Sequence, residues 1–137
     1  MRSALALVAT GAVFGALLMR ASTSSRRVQE PPRNAFVLCV TLQFKSERAR
    51  DAFKSLFAGF AAWVRANEPA TLSYDVLQSD KDALKVTIVE RYATRGDYAD
   101  VHRTSDEFLA FRAQLKSMEA DYTMTGDSYL ASDLGFV

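Results

Sequence analysis

One cysteine, one histidine and one tryptophan occur in a chain of 137 residues, and the net charge is close to zero. A lone Cys39 closes no internal disulfide, so the fold rests on packing alone; its apolar, alternating surroundings predict a small buried thiol. A lone histidine, with no Cys/His or carboxylate cluster at ligand spacing, points to no metal, and none of the six glycines builds a phosphate-cradling loop. The 17 basic and 16 acidic residues leave a formal charge of +1. That balance gives no broad field for nucleic acid, so no nucleic-acid partner is expected. Internal repeats and low-complexity blocks are also lacking.

Acids are missing from the start of the chain: none occurs before Glu30, and between Ser3 and Ala21 the only charge is Arg20. A helix over residues 3–21 would be about 28 Å long at about 1.5 Å per residue, close to the roughly 30 Å hydrocarbon core. The expectation is an N-terminal hydrophobic helix over residues 1–21 acting as a single-pass membrane anchor. Arg20, Arg26 and Arg27 on its C-terminal flank place the rest of the chain on the cytoplasmic or equivalent side. A basic, apolar, acid-free start also describes a secretory signal peptide or an organellar presequence, although Met19, Arg20 and Ala21 offer no clean small-x-small cleavage site. Gly11 and Gly15 form a GxxxG pattern that fits either close helix pairing or a segment simply rich in small residues. Residues 22–34, with Ser, Arg and the Pro31-Pro32 pair, read as a linker.

Residues 35–131 carry the folded domain, and 132–137 a short tail. Residues 35–44 alternate strictly, with Phe36, Leu38, Val40, Leu42 and Phe44 on one face and Val37, Cys39, Thr41 and Gln43 on the other, which predicts a strand. Ser46 is placed to cap a helix whose Phe53, Leu56, Phe57, Phe60 and Val64 recur at helical spacing, until Pro69 stops it. Residues 71–78 and 84–92 predict a hairpin around a polar turn at 79–82. Thr94 or Asp97 can start a short helix toward His102. Ser105 can cap the next, with Phe108, Phe111, Leu115 and Met118 as its stripe, and residues 122–130 predict a fourth strand broken near Gly126. The fold class is α+β, with the ferredoxin-like order βαββαβ. Helices on one face of such a sheet leave Val37, Cys39 and Val89 bare on the other, and a second copy is the simplest cover.

Glu90 falls in register with Leu84, Val86, Ile88 and Tyr92, so a carboxylate interrupts an apolar face and needs a partner. His102, Arg91 and Arg95 are the candidates. His102 is itself a natural general base near neutral pH, or else a histidine pinned at a helix end by a carboxylate. Trp63, Tyr74, Tyr92, Tyr98, Phe108 and Phe111 can line an aromatic pocket or serve as plain core.

The strand ending in Glu90 and Tyr92, followed by a short helix delivering His102 with Ser105 three positions on, resembles the antibiotic biosynthesis monooxygenase (ABM) family. The Glu68-Pro69-Ala70 corner is similar to that family's Glu-Pro-Gly, with Ala70 in place of glycine. The resemblance implies a homodimer in which two sheets pack face to face as a dimeric α+β barrel. It also implies a cofactor-independent monooxygenase of the quinol-oxidising kind, in which a base strips a phenolic proton and the anion reduces dioxygen without metal or flavin. His102 and Glu90 are then the candidate catalytic residues, and Tyr92, Tyr74, Trp63, Phe108 and Phe111 the candidate contacts to an apolar aromatic or quinol-like substrate. The alternative is a non-catalytic accessory or interaction subunit that keeps the dimeric barrel, with His102 purely structural.

Overall fold

Alternation of apolar and small residues sets the first strand, β1, over Phe36–Phe44, whose even-numbered side chains turn to the helices. The computed structural model describes residues 33–132 and 134. The expected anchor at 1–21, nearly all of the linker and most of the tail lie outside the described residues. Among the described residues no helix is long and apolar enough to cross a membrane.

Ser46 caps α1 (Glu47–Asn67), its hydroxyl accepting from the Ala49 N–H, and Ala49, Phe53, Phe57, Phe60 and Val64 form the buried stripe. The helix closes where the Glu68 N–H reaches the Val64 carbonyl at 2.8 Å, and Pro69 cannot extend it. The chain then turns into the hairpin of β2 (Thr71–Gln78) and β3 (Lys85–Tyr92). Ala70 takes this corner without strain, because among the described non-glycine residues only Asn34 has positive φ. The turn is tied by Thr71 N–H to the Glu68 carbonyl at 3.0 Å and Ala93 N–H to the Ala70 carbonyl at 2.9 Å.

Beyond β3, Thr94 and Asp97 bond reciprocally, hydroxyl to amide and carboxylate to amide, as in a capping box. The segment toward His102 is not one regular helix. It is a π-helical turn, Asp97–Val101, followed by a tight 3₁₀ turn, His102–Thr104, and this tightening swings His102 inward. Ser105 caps α2 (Asp106–Ser117), accepting from Phe108 N–H at 3.2 Å.

The last strand, β4 (Tyr122–Leu130), pairs with β1 without interruption. The expected break at Gly126 is absent for a packing reason. Gly126 sits opposite Val40, and an added Cβ would lie 3.3 Å from Val40 Cγ2. Glycine here permits close approach rather than ending the strand.

The four strands run antiparallel in the order β2-β3-β1-β4, the ferredoxin-like arrangement. The core lies between this sheet and the helices, with Leu42, Phe44, Val86 and Ile88 meeting Phe53, Phe57, Phe60, Phe111 and Leu115. Cys39 is not part of it. Its odd register places it half-buried on the opposite face with Val37 and Val89.

Candidate active site

Strand alternation brings Glu90 and Tyr92 to the helix-facing side of β3, with Tyr74 of β2 directly paired to Glu90. The irregular turns after β3 carry Tyr98 and His102, and α2 presents Phe108 and Phe111. His102 is fully buried. Its ring is enclosed by Phe108 at 4.9 Å, Tyr92 at 5.2 Å, Tyr74 at 5.4 Å, Phe60 at 5.6 Å and Tyr98 at 6.2 Å, centroid to centroid.

The partner of His102 is Glu68, whose Oε2 lies 2.8 Å from Nδ1 and also accepts from the Thr71 hydroxyl at 2.8 Å. Burial pulls the imidazole below its ordinary value, outweighing the opposing bond and charge of Glu68. A neutral ring beside a carboxylate donates through Nδ1, which leaves Nε2 as the acceptor. Among the described residues neither Nε2 nor Glu68 Oε1 has a hydrogen-bond partner.

Glu90 is bonded elsewhere. The Tyr92 hydroxyl donates to its Oε2 at 2.7 Å. Glu90 meets neither His102, which is taken by Glu68, nor the two arginines. Arg91 points to the other face by alternation, and Arg95 lies over the Phe36 ring at 5.9 Å. Burial pushes the Glu90 carboxyl up to about 7; the Tyr92 bond opposes this, the Glu68 charge adds to it, and Arg112 and Tyr74 hold it down. Burial and the neighbouring carboxylates likewise raise the Tyr74 and Tyr92 phenols far above their usual range, so both stay protonated donors.

Glu90 stands in the wall of a cleft of about 490 Å³ between the sheet and α2, with Leu38, Val40 and Ile88 as floor and Tyr74, Tyr98, Phe108 and Phe111 as sides. Of the sequence-selected residues, Glu90, Tyr74, Phe108 and Phe111 therefore face this cleft together. His102 and Tyr92 stand one side chain behind it, touching Tyr98 and, for His102, also Tyr74 and Phe108. Trp63 is stacked on Phe60 at 6.3 Å and 10° and lines neither this cleft nor the groove between α1 and β2. Its position beside the α1 stripe, one residue before Val64, turns it away from the site.

Glu68 was not singled out by the sequence as a site residue, nor were Arg103 and Arg112, which also border the cleft. The signal for Glu68 was present in the Glu-Pro corner, a buried acid at a helix end. Ser105 serves structure: besides capping α2, its hydroxyl donates to the His102 carbonyl at 3.0 Å. Among the described residues no group of three potential ligands is placed to hold a metal.

The antiparallel βαββαβ layer with a polar group buried in an aromatic cleft defines an ABM-type domain, and the sequence agrees. The family profile for antibiotic biosynthesis monooxygenase matches residues 35–114, and the chain belongs to that family. A Caulobacter crescentus protein of antibiotic biosynthesis monooxygenase type is 26% identical, with 73% of this chain and 92% of that one covered at a TM-score of 0.61. A variant of SnoaB, a cofactor-independent oxygenase from Streptomyces nogalater, superposes at a TM-score of 0.59 over 72% of this chain and 93% of that one. At 16% identity it is a likeness of fold. A further structure of this type, from Nitrosomonas europaea, is 24% identical, with 73% and 99% covered and a TM-score of 0.58. No curated protein matches the sequence.

Proposed function

We propose that the chain is a cofactor-independent monooxygenase that oxidises a quinol or other phenolic aromatic with dioxygen in the cleft between the sheet and α2. One observation carries this reading: a buried carboxyl, raised to about 7, stands in the wall of a cleft with an aliphatic floor and aromatic sides. A base of that strength is half ionised near neutral pH, the condition under which proton abstraction from a phenol is most effective. Apolar walls keep water from the phenolate, and the electron-rich ring then reduces dioxygen directly. The reaction balances without a cofactor. A phenol plus dioxygen gives a quinone plus water, the substrate supplying the electrons and both hydrogens of the water.

In this scheme Glu90 takes the phenolic proton. Tyr92 orients it, and His102, held by Glu68, fixes the Tyr74, Tyr98 and Phe108 side chains that shape the cleft. The bare sheet face with Val37, Cys39 and Val89 supports the homodimeric barrel common in the family, and the apolar residues 3–21 support an anchor that would bring a lipid-soluble quinol laterally. The accessory-subunit reading keeps one favouring observation: His102 and Tyr92 are wholly enclosed by aromatic rings.

Oxygen uptake by the full-length protein, measured against a panel of quinols and phenols with Glu90→Gln beside it, separates the two. The expected result is uptake that rises with pH through about 7 and falls by about 100-fold or more in Glu90→Gln. A folded protein that consumes no oxygen with any of them is the accessory subunit instead.

A further inference from the structure

The helix-facing side of the sheet is covered unevenly. On β1, Phe36, Leu42 and Phe44 are buried, whereas Leu38 and Val40 on the same face are only half-buried. On β4 the cover is missing: Met124, Gly126, Ser128 and Leu130 share that face by alternation, and all are exposed, Leu130 at 66%. Leu38 and Val40 stand directly opposite Ser128 and Gly126. All four line the cleft, which therefore has α2 along one flank and the edge strand β4 along the other.

The rim of this opening is cationic. Arg103 and Arg112 border the cleft, both exposed, and none of the ion pairs among the described residues includes either. Asp127 also borders it, but Asp127 pairs with Cys39 and so belongs to the opposite face of the sheet from Gly126 and Ser128. Arg103 lies at the end where β4 finishes. Its guanidinium is 5.6 Å from the Tyr98 ring, Tyr98 is 5.2 Å from Phe36, and Phe36 is paired with Leu130.

The chain leaving β4 is delivered to this opening. Ala131 N–H still bonds the Ala35 carbonyl at 2.8 Å, and a turn follows in which Leu134 N–H reaches the Ser132 hydroxyl at 3.3 Å. Leu134 is 89% exposed, the most of any large hydrophobic residue among those described. Around it the sequence Asp133-Leu134-Gly135-Phe136-Val137 combines one acid with three apolar side chains. That combination complements an apolar floor with unpaired cations on its rim. The distances allow it too. Ser128, two residues back along β4, is about 7 Å from Leu130, and the six residues from 131 to 136 span up to about 20 Å.

We propose that residues 133–137 fold back along β4 and close the cleft of their own chain, with Phe136 resting on Leu38 beside Ser128 and Asp133 paired with Arg103. The segment is a lid that an incoming ligand displaces. Its tether is short, which keeps it at an effective concentration in the millimolar range, so weak contacts suffice to seat it. The inference concerns access to the cleft and does not depend on the reaction carried out there.

The experiment is NMR of the full-length protein, reading nuclear Overhauser contacts between the Phe136 ring and side-chain methyl groups. Wild type should show contacts to the Leu38 methyls, lost in Asp133→Arg and regained when Arg103→Asp is added to it. The contacts should weaken between about 50 mM and about 500 mM salt, because the ion pair that seats the lid lies at the surface. Absence of the Leu38 contacts in wild type, or contacts that Asp133→Arg leaves intact, would overturn the proposal. A sample mixing labelled and unlabelled chains assigns the contacts to one chain or two. Contacts found only between chains would seat the segment on a second copy and overturn it as well.

Discussion

His102 Nδ1 lies 2.8 Å from Glu68 Oε2, joining the turn before α2 to the end of α1 across 34 residues of sequence. Both side chains are buried, so each is the other's means of being there. Removing one leaves a polar atom stranded in a ring of aromatics. The expected cost of Glu68→Ala is about 1–3 kcal/mol, from the orphaned Nδ1–H and Thr71 hydroxyl. His102→Ala should cost about 3–5 kcal/mol, because it opens a cavity and leaves the buried Glu68 side chain with the Thr71 hydroxyl as its one remaining partner among the described residues. Urea unfolding of both variants and of the double variant should show a coupling energy of about 1–3 kcal/mol. Additive losses would mean that the bond contributes nothing.

Glu90 gives stability a pH dependence of definite sign. Its folded value of about 7 lies above the usual 4.5, so the folded state holds a proton that the unfolded state has released between those limits. The stabilisation is complete below the usual value and is lost as pH rises to about 7. At about 1.36 kcal/mol per unit, roughly 3 kcal/mol is at stake. His102 acts in the opposite direction. Its lowered value keeps the folded ring neutral, so its contribution is present above the usual 6.5 and is lost as pH falls below it. Glu90→Gln removes the first effect alone. Relative to wild type it should gain up to about 3 kcal/mol between about pH 4.5 and pH 8, which denaturation midpoints across that range would reveal. A difference that does not vary with pH would show that Glu90 titrates normally.

The strands and helices were legible because each is written in local spacing: alternation in β1, a helical stripe in α1, serine caps before both helices. Glu90 was legible too, as a charge where the register called for an apolar residue. Its partner was not, since the choice among Tyr92, His102 and the arginines depends on which face each neighbour takes and on what His102 had already bonded. Glu68 escaped for the same reason. Its role follows from a contact between residues 34 positions apart, and no local pattern encodes that. Gly126 was misread because a glycine inside a strand marks either a break or a close approach, and only the position of Val40 decides between them.

That close approach can be measured. Gly126 has no left-handed backbone conformation to preserve, so the cost of a side chain there is purely one of space. In Gly126→Ala the new Cβ would meet Val40 Cγ2 at 3.3 Å and the Cys39 carbonyl at 3.4 Å, which calls for a shift of a few tenths of an ångström. Its loss should stay below about 1 kcal/mol, whereas Gly126→Val should cost about 1–3 kcal/mol through overpacking. Thermal unfolding of the pair would check this. Equal tolerance of valine would mean that β4 moves freely away from β1.

The uncovered sheet face makes the last prediction. Val37, Cys39, Thr41, Thr87 and Val89 form a contiguous half-buried patch, with Thr41 and Thr87 hydroxyls bonded across strands at 3.1 Å. A second copy packed there would desolvate the patch, as in a barrel made from two sheets. A lysine at its centre would then have to be buried without a partner, at a cost of several kcal/mol per dimer. Sedimentation of the full-length protein should show a dimer, and Val89→Lys a folded monomer, since the side chain faces away from each chain's own core. A wild-type monomer, or a Val89→Lys protein that still dimerises, would place the contact on another surface.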